Sequence, residues 1–142
     1  MRLFLTLNKR NIVVLITAIL LLFLILIRIY YTDITSIDGS TYESRAAYLK
    51  ILGYEVKEET AIKETVIPGE FNQVYEEYNL LQKESGFDLS QYKTQVCTVY
   101  TYSLLGIDTK VANLIVCGGK IIGGDILDLE NSQNITPLGR KD

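Results

Sequence analysis

The sequence contains no histidine, no tryptophan and only two cysteines in 142 residues. Without histidine, the chain offers no Ser-His-Asp triad, no His-ligated zinc or haem, and none of the commonest general base. Two cysteines are too few for a disulfide framework or a four-thiolate zinc site. The lack of tryptophan weakens any site that would stack sugar rings. The formal net charge of −3 and the pI near 5.0 argue against a nucleic-acid binder with a basic face.

A long apolar run dominates the first fifth of the chain. Residues 12–27 contain a single polar residue, Thr17, and after Arg28 the residues Ile29, Tyr30 and Tyr31 extend the apolar character to twenty positions. About twenty helical residues are needed to cross roughly 30 Å of hydrocarbon. Tyrosines suit the headgroup level, and an arginine near a helix end can extend its charge towards water. The run therefore predicts a transmembrane helix over residues 12–31, with a buried helix of a soluble protein as the alternative.

The residues around the run predict how this helix is processed and oriented. A cleaved signal peptide needs small residues after the apolar stretch, whereas residues 28–33 are Arg, Ile, Tyr, Tyr, Thr and Asp. Arg2, Lys9 and Arg10 precede the run and only Arg28 follows it closely. The positive-inside rule then places residues 1–11 in the cytoplasm as a short arm. We expect an uncleaved, single-pass signal anchor in the cell membrane, with the C-terminal part outside the cytoplasm.

The remainder of the chain is acidic and long enough for one domain. Ten of the fourteen Lys and Arg residues and all seventeen Asp and Glu residues lie from Asp33 onward, giving this part a formal charge of −7. Residues 32–39 are predicted to be a short polar tether. Residues 40–130 are predicted to form the extracytoplasmic domain, and residues 131–142 a C-terminal tail. A module of this size can fold alone.

Hydrophobic periodicity predicts two helices and five strands in this domain. Ser40 and Glu43 fit a capping box before a helix that ends at Gly53, and Glu70 opens a second helix that Gly86 stops. The predicted helices cover about 41–52 and 70–85, and the predicted strands 54–59, 61–67, 95–104, 110–117 and 120–129. The order α-β-β-α-β-β-β indicates an α+β domain of two layers: an antiparallel sheet of about five strands with both helices on one face.

Turn geometry sets an expected register for the two cysteines. If the strands over 95–104 and 110–117 form a hairpin, opposed residue numbers sum to 214, which pairs Tyr102 with Ala112 and Cys97 with Cys117. Opposed residues have Cα atoms about 4.5–5.5 Å apart, a spacing that a disulfide accepts. The alternatives are a disulfide, which an oxidising location would preserve, and two adjacent free thiols in the core.

Several segments resemble the domain of unknown function 4830 family, small membrane-anchored proteins of Gram-positive bacteria. The similar segments are 66–75, 78–82, 86–92, 99–102, 112–116 and 122–125, within residues 45–130. The resemblance implies an extracytoplasmic module behind one anchor and a glycine-like turn where this chain has Lys93 and Thr94. It implies no activity, cofactor or catalytic residue.

The residues favour binding over catalysis. The serines and cysteines have no histidine to activate them, and neighbouring acids such as Glu76 and Glu77 diverge too much to straddle a scissile bond. The strongest local candidate for a site is Gly123-Gly124-Asp125. Two strand glycines there indicate a structural bulge, a partner contact or, with Asp128 and Glu130, a calcium site.

We therefore expect a non-catalytic, membrane-tethered extracytoplasmic module that binds a protein or peptide partner in the cell envelope. It is expected to use no cofactor, no metal and no nucleic acid, and its oligomeric state is left open. The alternatives are a hydrolase-type enzyme using carboxylate or lysine chemistry, and a regulatory or sensor subunit that acts through the anchor helix.

Overall fold

The computed structural model describes residues 9–34, 36–131 and 134–140. The chain divides into two compact units, residues 1–36 and residues 37–142.

Helix α1, Lys9–Ile34, makes up the first unit. Its large apolar side chains from Ile12 to Leu26 are between 39% and 61% exposed, so protein covers none of them fully. Among the residues that the structure describes, no helix meets the combined length and hydropathy needed to cross a membrane. The transmembrane anchor predicted over residues 12–31 therefore stays a prediction.

The second unit is an α+β domain built on one antiparallel sheet. Its elements in chain order are β1 (Ile37–Asp38), α2 (Tyr42–Ile51), β2 (Val56–Val66), α3 (Gln73–Glu84), a short 3-10 helix (Leu89–Tyr92), β3 (Val96–Leu104), β4 (Ile107–Cys117), β5 (Lys120–Asp128) and β6 (Ile135–Pro137).

The sheet has six strands rather than the expected five. Strands pair in the order β1-β5-β4-β3-β2, and β6 pairs β5 as well. The two strands predicted over 54–59 and 61–67 are one strand, β2, interrupted by irregularities in its pairing with β3. Strands β1 and β6 lie in the segments predicted to be tether and tail. Both are too short to show a hydrophobic period, which is why sequence patterning missed them.

Both helices begin within three residues of their predicted starts, but with different capping residues. Helix α2 is capped by Thr41, which exchanges hydrogen bonds with Ser44, instead of by the predicted box of Ser40 and Glu43. Helix α3 is capped by Asn72 and begins at Gln73, three residues after the predicted start at Glu70. Glycines 53 and 86 follow the two helices at φ of 90° and 84°, conformations that glycine adopts without strain.

The Gly118-Gly119 turn and most of the β3–β4 register match the sequence predictions. Gly118 and Gly119 join β4 to β5 with φ of 55° and 77°, as a two-residue hairpin requires. Thr94 has φ of 65° at the turn where the family resemblance implies glycine. The register of β3 with β4 sums to 214 from the Thr98–Val116 pair to the Ser103–Val111 pair, so the predicted register is confirmed there. It shifts at the turn, where Leu104 pairs Ile107 instead of Lys110.

The two helices cover opposite faces of the sheet, so the predicted two-layer arrangement is wrong. On the α2 face, Leu49 of α2 clusters with Tyr102 and Leu114. On the α3 face, Tyr75 and Tyr78 of α3 pack on a cluster that includes Ile115 and Ile122. The physical reason is that the central strands direct apolar side chains to both faces of the sheet. Each face therefore has to be covered by a helix.

A buried arginine joins α2 to the sheet on the α2 face. The guanidinium of Arg45 donates to the Tyr102 hydroxyl at 2.5 Å, to the Gly39 carbonyl at 2.9 Å and to Glu59 Oε2 at 3.1 Å. Tyr102 also donates to Glu59 Oε2 at 2.8 Å, and the guanidinium lies 3.5 Å from the centre of the Tyr100 ring. The Arg45–Glu59 contact is the better buried of the two ion pairs among the described residues. Each of the three guanidinium nitrogens therefore donates a hydrogen bond inside the protein.

Replacing this arginine is expected to destabilise the domain strongly. Arg45→Met keeps the aliphatic volume but leaves Glu59 without its cation, and breaking a buried pair typically costs about 3–5 kcal/mol. Because Glu59 is partly exposed, we expect a loss of about 2–4 kcal/mol in the free energy of unfolding, measured by urea denaturation. The control is Lys50→Met in the same helix, where the side chain is exposed and the change should stay within about 0.5 kcal/mol. Equal losses in both variants would contradict the assigned role of Arg45.

Candidate functional site

The α3 face carries a groove of about 400 Å³ that runs across the sheet from β2 to β6. Helix α3 and the 3-10 helix cover the end of this face that holds Cys97, Ile115 and Cys117, and leave the other end open. The lining residues are Ala61, Lys63, Thr65, Tyr78, Val99, Thr101, Asn113, Asp125, Leu127 and Ile135. We call this the α3-face groove. It combines apolar walls with a small set of polar groups, as ligand sites commonly do.

The floor of the groove is a chain of hydrogen-bonded side chains on neighbouring strands. Thr101 Oγ1 donates to Asn113 Oδ1 at 2.8 Å, and Asn113 Nδ2 donates to Asp125 Oδ1 at 2.8 Å. From α3, the hydroxyl of Tyr78 donates to Asp125 Oδ2 at 2.6 Å. Thr101, Asn113 and Asp125 come together because they are opposed in the β3–β4 and β4–β5 registers. The network fixes the Asp125 carboxylate at the centre of the floor.

Asp125 is a buried acid with neutral partners. It is 4% exposed, and burial raises the pKa of its carboxyl above the ordinary value, partly offset by the hydrogen bonds from Tyr78 and Asn113. Among the described residues no cationic group lies within ion-pairing distance of it. A buried carboxylate without a counter-ion is energetically unfavourable when ionised. Asp125 is also the single acid among the residues that line the groove.

Tyr78 remains a hydrogen-bond donor over the whole accessible pH range. Burial, followed by the charge of Asp125, raises the pKa of its phenol well above the ordinary value. Its ring also packs edge-on against Tyr75, with the ring centres 6.1 Å apart. Tyr78 therefore acts as a fixed donor that orients one oxygen of Asp125.

The two glycines before Asp125 allow close packing on both sides of β5. A Cβ at Gly123 would lie 2.8 Å from Gln82 Oε1, and a Cβ at Gly124 would lie 2.6 Å from the Asn113 carbonyl oxygen. The pairing of β5 with β4 is irregular between Ile121 and Gly123. The Gly124 N–H lies between the segments paired with β1 and β6 and donates to Gln82 Oε1 at 2.7 Å. Space and backbone hydrogen bonding thus explain the glycines, and Asp125 alone opens on the groove.

The structure brings Cys97 and Cys117 together under the covered end of the α3 face. Both lie in one buried cluster, and both thiols are free. Cys117 Sγ contacts Gln95 Oε1 at 3.2 Å, and burial followed by a hydrogen bond with Cys117 raises the pKa of Cys97 to about 12. Cys97 is therefore a weak nucleophile at neutral pH. Both cysteines fill the core as adjacent small side chains.

One of the two other acids suggested for a metal site, Asp128, has a structural role. Asp128 Oδ1 accepts from the backbone N–H of Glu130 at 2.9 Å and closes the turn after β5. Within residues 9–34, 36–131 and 134–140, no group of three or more Cys, Asp or Glu side chains is placed to hold a metal ion.

The profile of the family described as "Domain of unknown function (DUF4830)" matches residues 48–126. That range is more than half of the 142 residues. The chain belongs to the DUF4830 family. No curated protein and no solved structure matches the chain. The range matched to DUF4830 contains α3, β2, β3 and β4 and the floor residues Tyr78, Thr101, Asn113 and Asp125, whereas β6 lies outside it.

Sequence reasoning named Asp125 but missed its partners. Asn113 carried a signal, since it is the one amide in the otherwise apolar segment 111–117. Tyr78 and Gln82 are four residues apart on the inner side of α3, where a buried glutamine is unusual. Val74 of this helix is 73% exposed, whereas the polar residues Asn79 and Gln82 are buried. The inner side of this DUF4830 helix is therefore more polar than hydrophobic patterning allows for.

The raised pKa of Asp125 predicts a specific pH dependence of stability. Its contribution is fully present below the unfolded pKa near 3.8 and is lost as pH rises through the raised folded pKa. In Asp125→Asn the amide can accept from Asn113 and donate to the Tyr78 oxygen without carrying charge. We therefore expect the free energy of unfolding to fall less between pH 4 and pH 7 in Asp125→Asn than in the parent.

Urea unfolding of the parent DUF4830 protein and of Asp125→Asn between pH 4 and pH 7 measures this difference in the free energy of unfolding. Asp38 and Asp88 have lowered pKa values, so their contributions are lost only as pH falls through values below 3.8 and cancel in the comparison. Glu130→Gln removes one exposed acid after β5 and should follow the parent curve. Parallel curves for Asp125→Asn and the parent would show that Asp125 is not a destabilised carboxylate.

Proposed function

We propose that this DUF4830 protein is a non-catalytic binding module that holds a protein or peptide partner of the cell envelope in the α3-face groove. The observation that carries the proposal is the groove itself: about 400 Å³ of open volume above a buried carboxylate that no cationic side chain in the described chain neutralises. Folding alone rarely retains such a group, and perturbed acids in concave sites mark functional positions.

The lining chemistry supports binding better than catalysis. Hydrolysis by paired carboxylates needs a second acid a few ångströms away, and the lining residues include only Asp125. Cys97 lies under the covered end with its pKa raised to about 12, which makes a weak nucleophile. The hydroxyls of Thr101 and Tyr78 are engaged as hydrogen-bond donors. These features suit a floor that orients a ligand and does not transform it.

We also propose that helix α1 tethers the module to the cell membrane, with lipid covering its apolar side chains. Supporting this, side chains on all sides of the stretch 12–26 are exposed, and Ile29, Tyr30 and Tyr31 continue the apolar sequence. An apolar patch of this size on a helix is otherwise an aggregation hazard. The excess of cations before the run favours an orientation with residues 37–142 outside the cytoplasm.

Reporter fusions test the tether and its orientation. A phosphatase that is active only outside the cytoplasm, fused after residue 142, should be active and membrane-associated, whereas the same enzyme fused after residue 10 should be inactive. Deleting residues 12–27 should abolish the activity of the residue-142 fusion, because the chain then loses its export signal. Activity at residue 10, or unchanged activity after the deletion, would overturn this part of the proposal.

Site-specific photo-crosslinking tests the groove. A benzophenone amino acid at position 63, which lines the groove, is expected to trap a discrete partner in intact cells of the native host. The matched control is the same amino acid at position 57, which is also an exposed lysine of β2 but does not line the groove. An adduct at 63 that is absent at 57 supports the proposal. No adduct at 63, or the same adducts at both positions, contradicts it.

A further inference from the structure

The Asp125 carboxylate has hydrogen-bonding capacity that its two side-chain partners do not use. A carboxylate offers about four acceptor sites, and Asp125 uses one on each oxygen, for Asn113 and for Tyr78. The two partners approach from the strand side and from α3, and Asp125 also lines the open cavity. The free capacity therefore belongs to whatever enters the groove.

The charges around the groove indicate the sign of that ligand. Lys63 is the only cation among the lining residues, and it forms no ion pair with Asp125 within the described chain. The sequence from Asp33 onward carries a formal charge of −7, which attracts cations and repels anions within a Debye length of roughly 8–10 Å at physiological ionic strength. A carboxylate on the floor and an acidic surface together select a positively charged ligand group.

We propose that the α3-face groove recognises a lysine or arginine side chain of a peptide partner, with Asp125 accepting hydrogen bonds from the cationic head and the apolar walls holding its methylene stem. The proposal rests on the proposed function and names the ligand chemistry of the same site. Val99, Leu127 and Ile135 supply the apolar walls. A bound cation provides the buried carboxylate with a counter-ion, which no described residue of the chain supplies.

Binding of such a group is linked to the ionisation of Asp125. Two titratable groups line the groove with Asp125: the cationic Lys63 from β2 and the phenol of Tyr78 from α3, which stays protonated and neutral. Since the ligand prefers the ionised carboxylate, its affinity should rise with pH through the raised pKa of Asp125 and then level off. The cationic Lys63 weakens binding by like-charge repulsion.

Two probe pairs test the proposal on the full chain in detergent micelles. The first is n-butylammonium against the neutral 1-butanol, and the second is a seven-residue Gly/Ser peptide with a central lysine against the same peptide with norleucine. We expect the side-chain amide signals of Asn113 to shift saturably with both cationic probes and not with their neutral counterparts. Asp125→Asn should weaken binding by at least about tenfold, as loss of a charged hydrogen-bond acceptor does.

The Lys63→Met variant provides a second test of the cation site, which does not depend on the stability of the Asp125 variant. Lys63 is exposed, so the variant should fold, and removal of the repelling cation should tighten butylammonium binding by about threefold. Lys57→Met and Glu130→Gln are the controls. Each removes one charge at a position that does not line the groove, so the affinities for butylammonium and for the lysine peptide should stay unchanged.

The outcomes separate this inference from the proposed function. Equal shifts with charged and neutral probes, or no effect of Lys63→Met together with no effect of Asp125→Asn, overturn the cation site even if crosslinking at position 63 finds a partner. Binding of butylammonium without binding of the lysine peptide overturns the peptide assignment in favour of a small amine. Specific binding of the lysine peptide without any crosslinked partner supports the cation site and counts against an envelope partner.

Discussion

Strands β4 and β5 are buried on both faces, and the arrangement of the whole domain depends on this constraint. From Val111 to Cys117 every residue except Asn113 is buried, and all residues from Ile121 to Ile126 are buried. Because a strand directs alternate side chains to opposite sides, neither face can be left to water. Helix α2 and Leu138 cover one side, and α3 with the 3-10 helix covers the other. A twelve-residue helix is too short to cover a six-stranded sheet, and the uncovered part of its face becomes the groove.

Among the described residues, each face carries one buried side chain of the Asp, Glu, Lys or Arg type, Arg45 on one and Asp125 on the other, and the two differ in their partners. Arg45 on the α2 face has a carboxylate, a phenol, a carbonyl and an aromatic ring as partners, which together match the donor geometry of a guanidinium. Asp125 on the α3 face has a phenol and an amide as partners, and no cation from the described part of the chain. The first group is satisfied within the fold and holds α2 to the sheet. The second is held in position but its charge is not compensated, which is the physical basis for assigning function to the α3 face.

Sequence patterning predicted the parts of the fold that depend on local chemistry. The Gly118-Gly119 turn, the glycines after both helices and the β3–β4 register follow from backbone preferences that act over a few residues. The choice of face for each helix was not predictable, since hydrophobic period shows that a helix has an inner side but not which side of a sheet it meets. The short strands β1 and β6 gain their stability from pairing with β5, a contact over 80 residues away in the chain for β1. Asp125 could be singled out from the two glycines beside it in the sequence. Tyr78 could not be assigned as its partner, because it lies 47 residues earlier and meets Asp125 only in the folded domain.

The identity of residue 125 is not explained by folding. An asparagine there could accept the Asn113 amide through its oxygen and donate to the Tyr78 hydroxyl through its nitrogen, with the same shape and without a desolvated charge. A carboxylate in that environment lowers stability at neutral pH, because burial raises its pKa. The destabilisation disappears when a cation enters the groove, since the buried acid then has the counter-ion and further donors that an ion in a low-dielectric site requires. A bound cationic group therefore gives a physical reason for an aspartate at a position where an amide would serve the fold at least as well.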